Sequence, residues 1–179
     1  MKSLITALVL TISLPLAGQT DTNSKFYMEG SLRLAFGDQT RLGISPAVHY
    51  SLSPTISIGS GVIVESYTST VNDTRSSTWI YGLNILANYN IKRLTGILNE
   101  RTSLFLHFEQ EFLNIENHHF NTDTGRSWTD ASFLGFKIKR KIGTKDRFAL
   151  SLIAIWNMNQ NEITDLLYNN PIIKLGFQF

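Results

Sequence analysis

The chain has 179 residues, with 42% hydrophobic and 17% charged residues, 16 Lys+Arg against 14 Asp+Glu, and no Cys. That length suits one domain, the charged fraction lies below the roughly 25% of ordinary soluble domains, and a net charge of +2 is no nucleic-acid footprint. The missing cysteine excludes thiol catalysis, Cys-ligated metals, disulfides and a lipid-modified cysteine anchor.

Residues 1–19 read as a secretory signal peptide. Lys2 opens the segment, an apolar run covers Leu4 to Leu14, and Pro15 and small residues follow. The run is too short to span a bilayer as a helix, which needs about 20 residues. Cleavage is expected near Ala17 to Gln19. Residues 20–24 form a short N-terminal segment, and residues 25–179 form one domain. No later apolar run is long enough for a membrane-spanning helix. The domain alternates with period two instead.

Eight strands are predicted. The first sets Phe26, Met28, Gly30, Leu32, Leu34 and Phe36 against Tyr27, Glu29, Ser31, Arg33 and Ala35. The second sets Leu42, Ile44, Pro46, Val48 and Tyr50 against Arg41, Gly43, Ser45, Ala47 and His49. The third carries Ile56, Ile58, Ser60, Val62 and Val64 opposite Ser57, Gly59, Gly61, Ile63 and Glu65. The fourth runs Trp79, Tyr81, Leu83, Ile85, Ala87, Tyr89 and Ile91 opposite Ile80, Gly82, Asn84, Leu86, Asn88 and Asn90. The fifth runs Leu104, Leu106, Phe108, Gln110 and Phe112 opposite Phe105, His107, Glu109 and Glu111. The sixth runs Trp128, Leu134, Phe136 and Ile138 opposite Phe133, Gly135, Lys137 and Lys139. The seventh, Phe148 to Met158, is apolar on both faces, so alternation leaves its register open. The eighth runs Ile173, Leu175, Phe177 and Phe179 opposite Lys174, Gly176 and Gln178.

Turn-forming residues separate the strands at Gly37-Asp38, Ser51–Thr55, Thr68–Thr78, Lys92–Arg101, Glu116–Arg126, Gly143–Asp146 and Asn159–Asn170. With both termini on one side, Thr68–Thr78, Glu116–Arg126 and Asn159–Asn170 are the long loops of the opposite side. Lys92–Arg101 is long for a turn, with room for a small extra element.

Two all-β architectures fit this pattern. A soluble sandwich or lipocalin-like barrel turns its apolar face inward, and an outer-membrane barrel turns it outward. Three features favour the second. Aromatics gather at both ends of the apolar face: Phe26, Tyr50, Tyr89, Phe148 and Phe179 at one, Phe36, Trp79, Tyr81, Phe112, Trp128 and Trp156 at the other. The other face carries both signs of charge at mid-strand: Glu29, Arg33, Arg41, Glu65, His107, Glu109, Glu111, Lys137, Lys139 and Lys174, with small glycines between them. In a lumen these charges are expected to pair. The third feature is the last strand, with Leu175, Phe177 and Phe179 at alternate positions up to the final residue.

Together these features resemble the small outer-membrane β-barrel family, the eight-stranded barrels of the OmpA transmembrane-domain and OmpX type, over residues 25–179. The resemblance implies an all-β, antiparallel, up-and-down transmembrane barrel of about eight strands. It also implies location in the cell outer membrane, contact with outer-membrane lipid or lipopolysaccharide, and engagement of Leu175, Phe177 and Phe179 by the barrel-assembly machinery. An eight-stranded interior is just wide enough for side chains to fill it. The expected role is therefore structural or surface interaction through the loops with an unspecified ligand. A narrow channel or small-ligand passage is the alternative.

Enzyme readings are weaker. The lipid A deacylases among similar barrels carry His-x-Ser with a Glu at the outer rim. His49-Tyr50-Ser51 has that spacing but lies at the other end. Glu109 and Glu111 could form a carboxylate pair, although salt bridges to Arg33, Arg41, Lys137 or Lys139 account for them more simply. His118 and His119 could ligate a metal only if their loop brought both rings to one point. Asn72-Asp73-Thr74 matches a glycosylation sequon and equally well a turn. No catalytic, cofactor-binding or metal-ligating residue is assigned, and no nucleic-acid partner is expected.

Overall fold

Strict alternation of branched or aromatic residues with small or polar ones builds strands that differ between their two faces. A computed structural model describes residues 25–35, 39–71, 74–91, 100–117, 125–143, 148–159, 167–168 and 170–179. Eight strands occupy them: β1 (Phe26–Ala35), β2 (Gln39–Ser51), β3 (Ile56–Val71), β4 (Thr74–Asn90), β5 (Thr102–Glu116), β6 (Arg126–Ile142), β7 (Phe148–Asn157) and β8 (Ile172–Gln178). Each pairs antiparallel with the next, and β1 pairs with β8, which closes the barrel. Closure leaves the sheet without an open edge along the paired strands. The signal-peptide expectation, Phe36, His118 and His119, and most of Lys92–Arg101 lie outside the described residues.

The faces fall as in an inverted core. Leu42, Val62, Leu83, Phe136, Leu152 and Leu175 point outward and are about half exposed. Glu29, Arg33, Arg41, His49, Glu65, His107, Glu109, Glu111, Lys137 and Lys174 point inward and are buried. The partners of β7 settle its register: Phe136↔Ala154 and Lys137↔Ile153 turn Leu150, Leu152 and Trp156 outward and Ser151, Ile153 and Ile155 inward. Gly43 shows why small residues lie between the long inner ones. A Cβ there would collide with the Glu65 side chain.

The strands are unequal. β3 to β6 have 15 to 17 residues, whereas β1 and β7 have 10 and β8 has 7. The excess stands at the end opposite the termini. Thr68–Thr78, expected as a loop, is mostly strand: the β3–β4 ladder continues to Val71↔Thr74. Polar composition suggested a loop, but Thr and Val favour extended backbone, and Thr68 and Ser77 hydrogen-bond across the strands at 3.0 Å. Arg126 fastens the tall hairpins together. It donates to the Trp79 carbonyl at 2.8 Å and to the Asn114 side chain at 2.6 Å.

The interior departs from the expectation of an all-polar filling. Ile63, Tyr67, Ile80, Leu113, Ile115, Phe133, Ile153 and Ile155 form a buried apolar cluster at its loop end. Leu167 and Tyr168, from the β7–β8 connection, fold back into this cluster and complete it. Tyr168 meets Phe133 edge-on with ring centroids 4.9 Å apart.

Candidate functional site

The inward face of the barrel brings charged side chains from β1, β2, β3, β5, β6 and β8 to one axis. Among the described residues, four buried carboxylates (Glu29, Glu65, Glu109, Glu111) meet four buried cations (Arg33, Arg41, Lys137, Lys174). Such groups are tolerated away from water only when paired and hydrogen-bonded.

The tier nearer the loops is built on carboxylates shared between cations. Glu65 accepts from Arg33 at 2.6 Å and also binds Arg41. Glu111 binds Arg33, accepts from Lys174 at 3.0 Å and takes the Tyr168 hydroxyl at 2.5 Å. Arg41 also donates to the Leu167 carbonyl. The guanidinium carbons of Arg41 and Arg33 lie 4.6 and 5.2 Å from the Tyr168 ring centre. The stopper is thus held by cation–π contact, by hydrogen bonds and by apolar packing.

The second tier lies toward the termini. Lys137 holds both oxygens of Glu29 at 2.5 Å. Lys174 donates to Glu109 at 2.6 Å, and the Asn84 amide donates to the same carboxylate at 2.7 Å. His107 shares a hydrogen bond with Asn88 through Nδ1 at 2.7 Å, and its Nε2 faces Glu109 at 3.5 Å. His49 stacks on Tyr27 with ring centroids 4.9 Å apart, and its Nε2 faces Glu29 at 3.8 Å. A cavity lined in part by Glu29, His49, Asn84, His107 and Glu109 has about 10 Å³ of room for the centre of a water molecule. His49, His107 Nε2 and Asn84 Oδ1 supply polar atoms there without protein hydrogen-bond partners among the described residues. A water-sized, polar-walled space of this kind suits solvent.

Several sequence candidates can now be placed. Glu109 and Glu111 share Lys174, so they are bridged by a cation and do not face each other as a bare pair. Lys139 sits half-buried near the terminal end, donating to Gln178 at 3.1 Å with its ammonium 4.9 Å from the Phe105 ring centre. His49 lies deep in the interior against Tyr27 and Glu29. Thr74, from the sequon, opens β4, and Asn72 and Asp73 lie outside the described residues. Tyr168 and Leu167 were missed. They come from a connection whose composition reads as loop, and no periodicity marks two loop residues as interior.

Outward aromatics stand at both ends of the wall, with Phe108 and Phe136 between them. At the terminal end Phe26 packs on Tyr50 at 4.8 Å and Phe148 on Phe179 at 5.6 Å between ring centroids. At the loop end Trp79, Tyr81, Phe112, Trp128 and Trp156 are 40 to 64% exposed.

No protein-family model matches the chain. No curated protein matches it in sequence. Among solved structures, the N-terminal β-barrel domain of Pseudomonas aeruginosa OprF is similar, with a TM-score of 0.47 and 12% sequence identity over 87% of this chain and 97% of that one. The architecture described above stands on this chain's own strand ladders.

Proposed function

We propose that the protein is an integral outer-membrane β-barrel of structural or surface-interaction type, with a closed lumen. The observation that carries this reading is the inversion of the faces. A largely apolar wall is exposed while, among the described residues, eight charged side chains are buried. Water would penalise the first arrangement, and lipid rewards it. Spanning a bilayer takes about 9–11 tilted residues per strand, which β1 and β7 match, while β3 to β6 stand beyond it. The aromatic ends of the wall fit the two lipid–water interfaces. The apolar run Leu4 to Leu14 fits an export signal.

The paired interior and the Leu167–Tyr168 stopper leave side chains where a channel would need water. They favour a silent barrel over the narrow-channel alternative. Refolding into phosphatidylcholine vesicles tests this reading. Heat-modifiable migration on gels and protection of the strands from protease are expected, with no discrete conductance steps in planar bilayers. Solubility without detergent would overturn the membrane reading. Reproducible open steps would overturn the closed lumen.

A further inference from the structure

One stretch of the outward wall is polar. Along β5 the outward residues run Leu104, Leu106, Phe108, Gln110, Phe112, so the Gln110 amide lies between two aromatic rings inside the apolar band. Its cross-strand partner on β6 is Ser132, and Asp130 stands opposite Phe112. The Ser132 hydroxyl donates to the Gln110 carbonyl oxygen, and the Gln110 amide donates to Asp130 at 3.3 Å. Asn159 closes the group: its carbonyl oxygen accepts from the Ser132 backbone N–H at 2.7 Å, and its amide donates to Asp130 at 3.1 Å. Trp128 and Trp156 border the patch, 64% and 41% exposed.

Polar side chains on a lipid-facing wall are unfavourable and mark function by default. Three features narrow the occupant. The carboxylate, two amides and hydroxyl bond to one another and keep further lone pairs and amide N–H groups, so the group suits a ligand whose groups both donate and accept. Asp130 is exposed and negative, which disfavours a phosphate headgroup at the same point. The exposed faces of Trp128 and Trp156 offer flat apolar surface beside the acceptors, the combination that suits a sugar ring with its C–H face and its hydroxyls. A second copy of this chain is disfavoured, because a two-fold contact through this patch would bring two Asp130 carboxylates into one desolvated interface.

We propose that Gln110, Asp130, Ser132 and Asn159 form a site for the sugar headgroup of a glycolipid. The glycolipid's acyl chains would lie along Phe108, Leu134 and Phe136. This inference rests on the membrane reading above and names the lipid that the loop end of the barrel selects.

The test uses the full chain refolded into phosphatidylcholine vesicles that contain brominated galactosyl diacylglycerol, brominated phosphatidylglycerol or brominated phosphatidylcholine. Bromine quenches nearby tryptophan, so in a Trp79→Phe background Trp128 and Trp156 report local enrichment of each lipid. The galactolipid is expected to be enriched about fivefold over phosphatidylcholine, the factor that one net hydrogen bond supplies. Gln110→Leu combined with Ser132→Ala, and separately Asp130→Ala, should abolish the enrichment and leave quenching by brominated phosphatidylcholine unchanged, which also shows that the variants insert. Equal quenching by all three lipids with the site unaltered would overturn the proposal. So would enrichment that survives in the variants, stronger enrichment of phosphatidylglycerol, or a cross-linked dimer that disappears in the variants. No quenching by any brominated lipid would defeat the membrane reading itself, and the proposal with it.

Discussion

Arg33 on β1 and Lys174 on β8 stand directly opposite each other across the ladder that closes the barrel. Like charges so placed repel. Glu111, reaching from β5 on the far side of the lumen, binds both through one carboxylate oxygen. The closing ladder, five residue pairs in register, is therefore supported by a spoke across the interior as well as by its own hydrogen bonds.

Removing that spoke should be costly. Glu111→Gln leaves Arg33 held by Glu65 and Lys174 by Glu109, one negative charge short of balance, and breaking a buried pair costs about 3–5 kcal/mol. Urea unfolding from vesicles, followed by tryptophan fluorescence, should show a loss of that order. Arg140→Gln, at an exposed position of β6, should stay within about 0.5 kcal/mol. Equal and small losses would mean that the interior charges are solvated.

Glu29 and Lys137 form a more isolated pair. Lys137→Met alone should destabilise the barrel by about 3–5 kcal/mol, because Glu29 is left buried and ionised. Adding Glu29→Gln should restore most of the loss, since the cost lies in the orphaned charge more than in the missing attraction. The same unfolding assay measures both variants, and a double variant as unstable as the sum of the singles would contradict this account.

The stopper makes a separable contribution. Tyr168→Phe keeps the ring between the guanidinium groups and removes only the hydroxyl that Glu111 accepts. A hydrogen bond to a charged group is worth about 1.5–3 kcal/mol, which is the expected loss. Tyr168→Ala should cost more, because it also empties part of the apolar cluster.

Much of this arrangement was legible in the sequence, for a physical reason. Period-two alternation survives whichever face meets lipid, so the pairs Leu83–Asn84 and Leu106–His107 announce two-faced strands on their own. What resolved the direction was charge at mid-strand, as in Glu109 and Lys174. Strand β7 was illegible in register, because Ser151 is flanked by apolar residues on both faces and only pairing with β6 orients it. The β3–β4 extension was hidden by its Ser and Thr content. The apolar plug was hidden too. Ile80, Leu113 and Ile115 occupy the nominally polar face, and their purpose becomes visible only when Leu167 and Tyr168 arrive from a distant connection.

Depth along the wall gives another check. Leu106→Arg places a cation within the apolar band, where it should cost about 2–4 kcal/mol, whereas Trp128→Arg at the aromatic end should cost about 0–1 kcal/mol for the charge, plus lost anchoring. Tryptophan placed at Leu106 should be strongly quenched by brominated phosphatidylcholine, and tryptophan placed at the inward neighbour Phe105 weakly. The reverse phase would turn the assigned faces inside out.

The balance of four buried carboxylates against four buried cations has an electrical consequence. Displacing one elementary charge through a membrane potential of 100 mV does about 2.3 kcal/mol of work, and voltage sensors depend on a surplus of one sign to collect it. Here the forces on the two signs oppose each other, and the two sets are tied together by ion pairs within a single closed sheet. A voltage across the membrane would strain the filling slightly and move no net charge. In the membrane-spanning arrangement proposed above, the conformation of the barrel should be the same at any physiological potential.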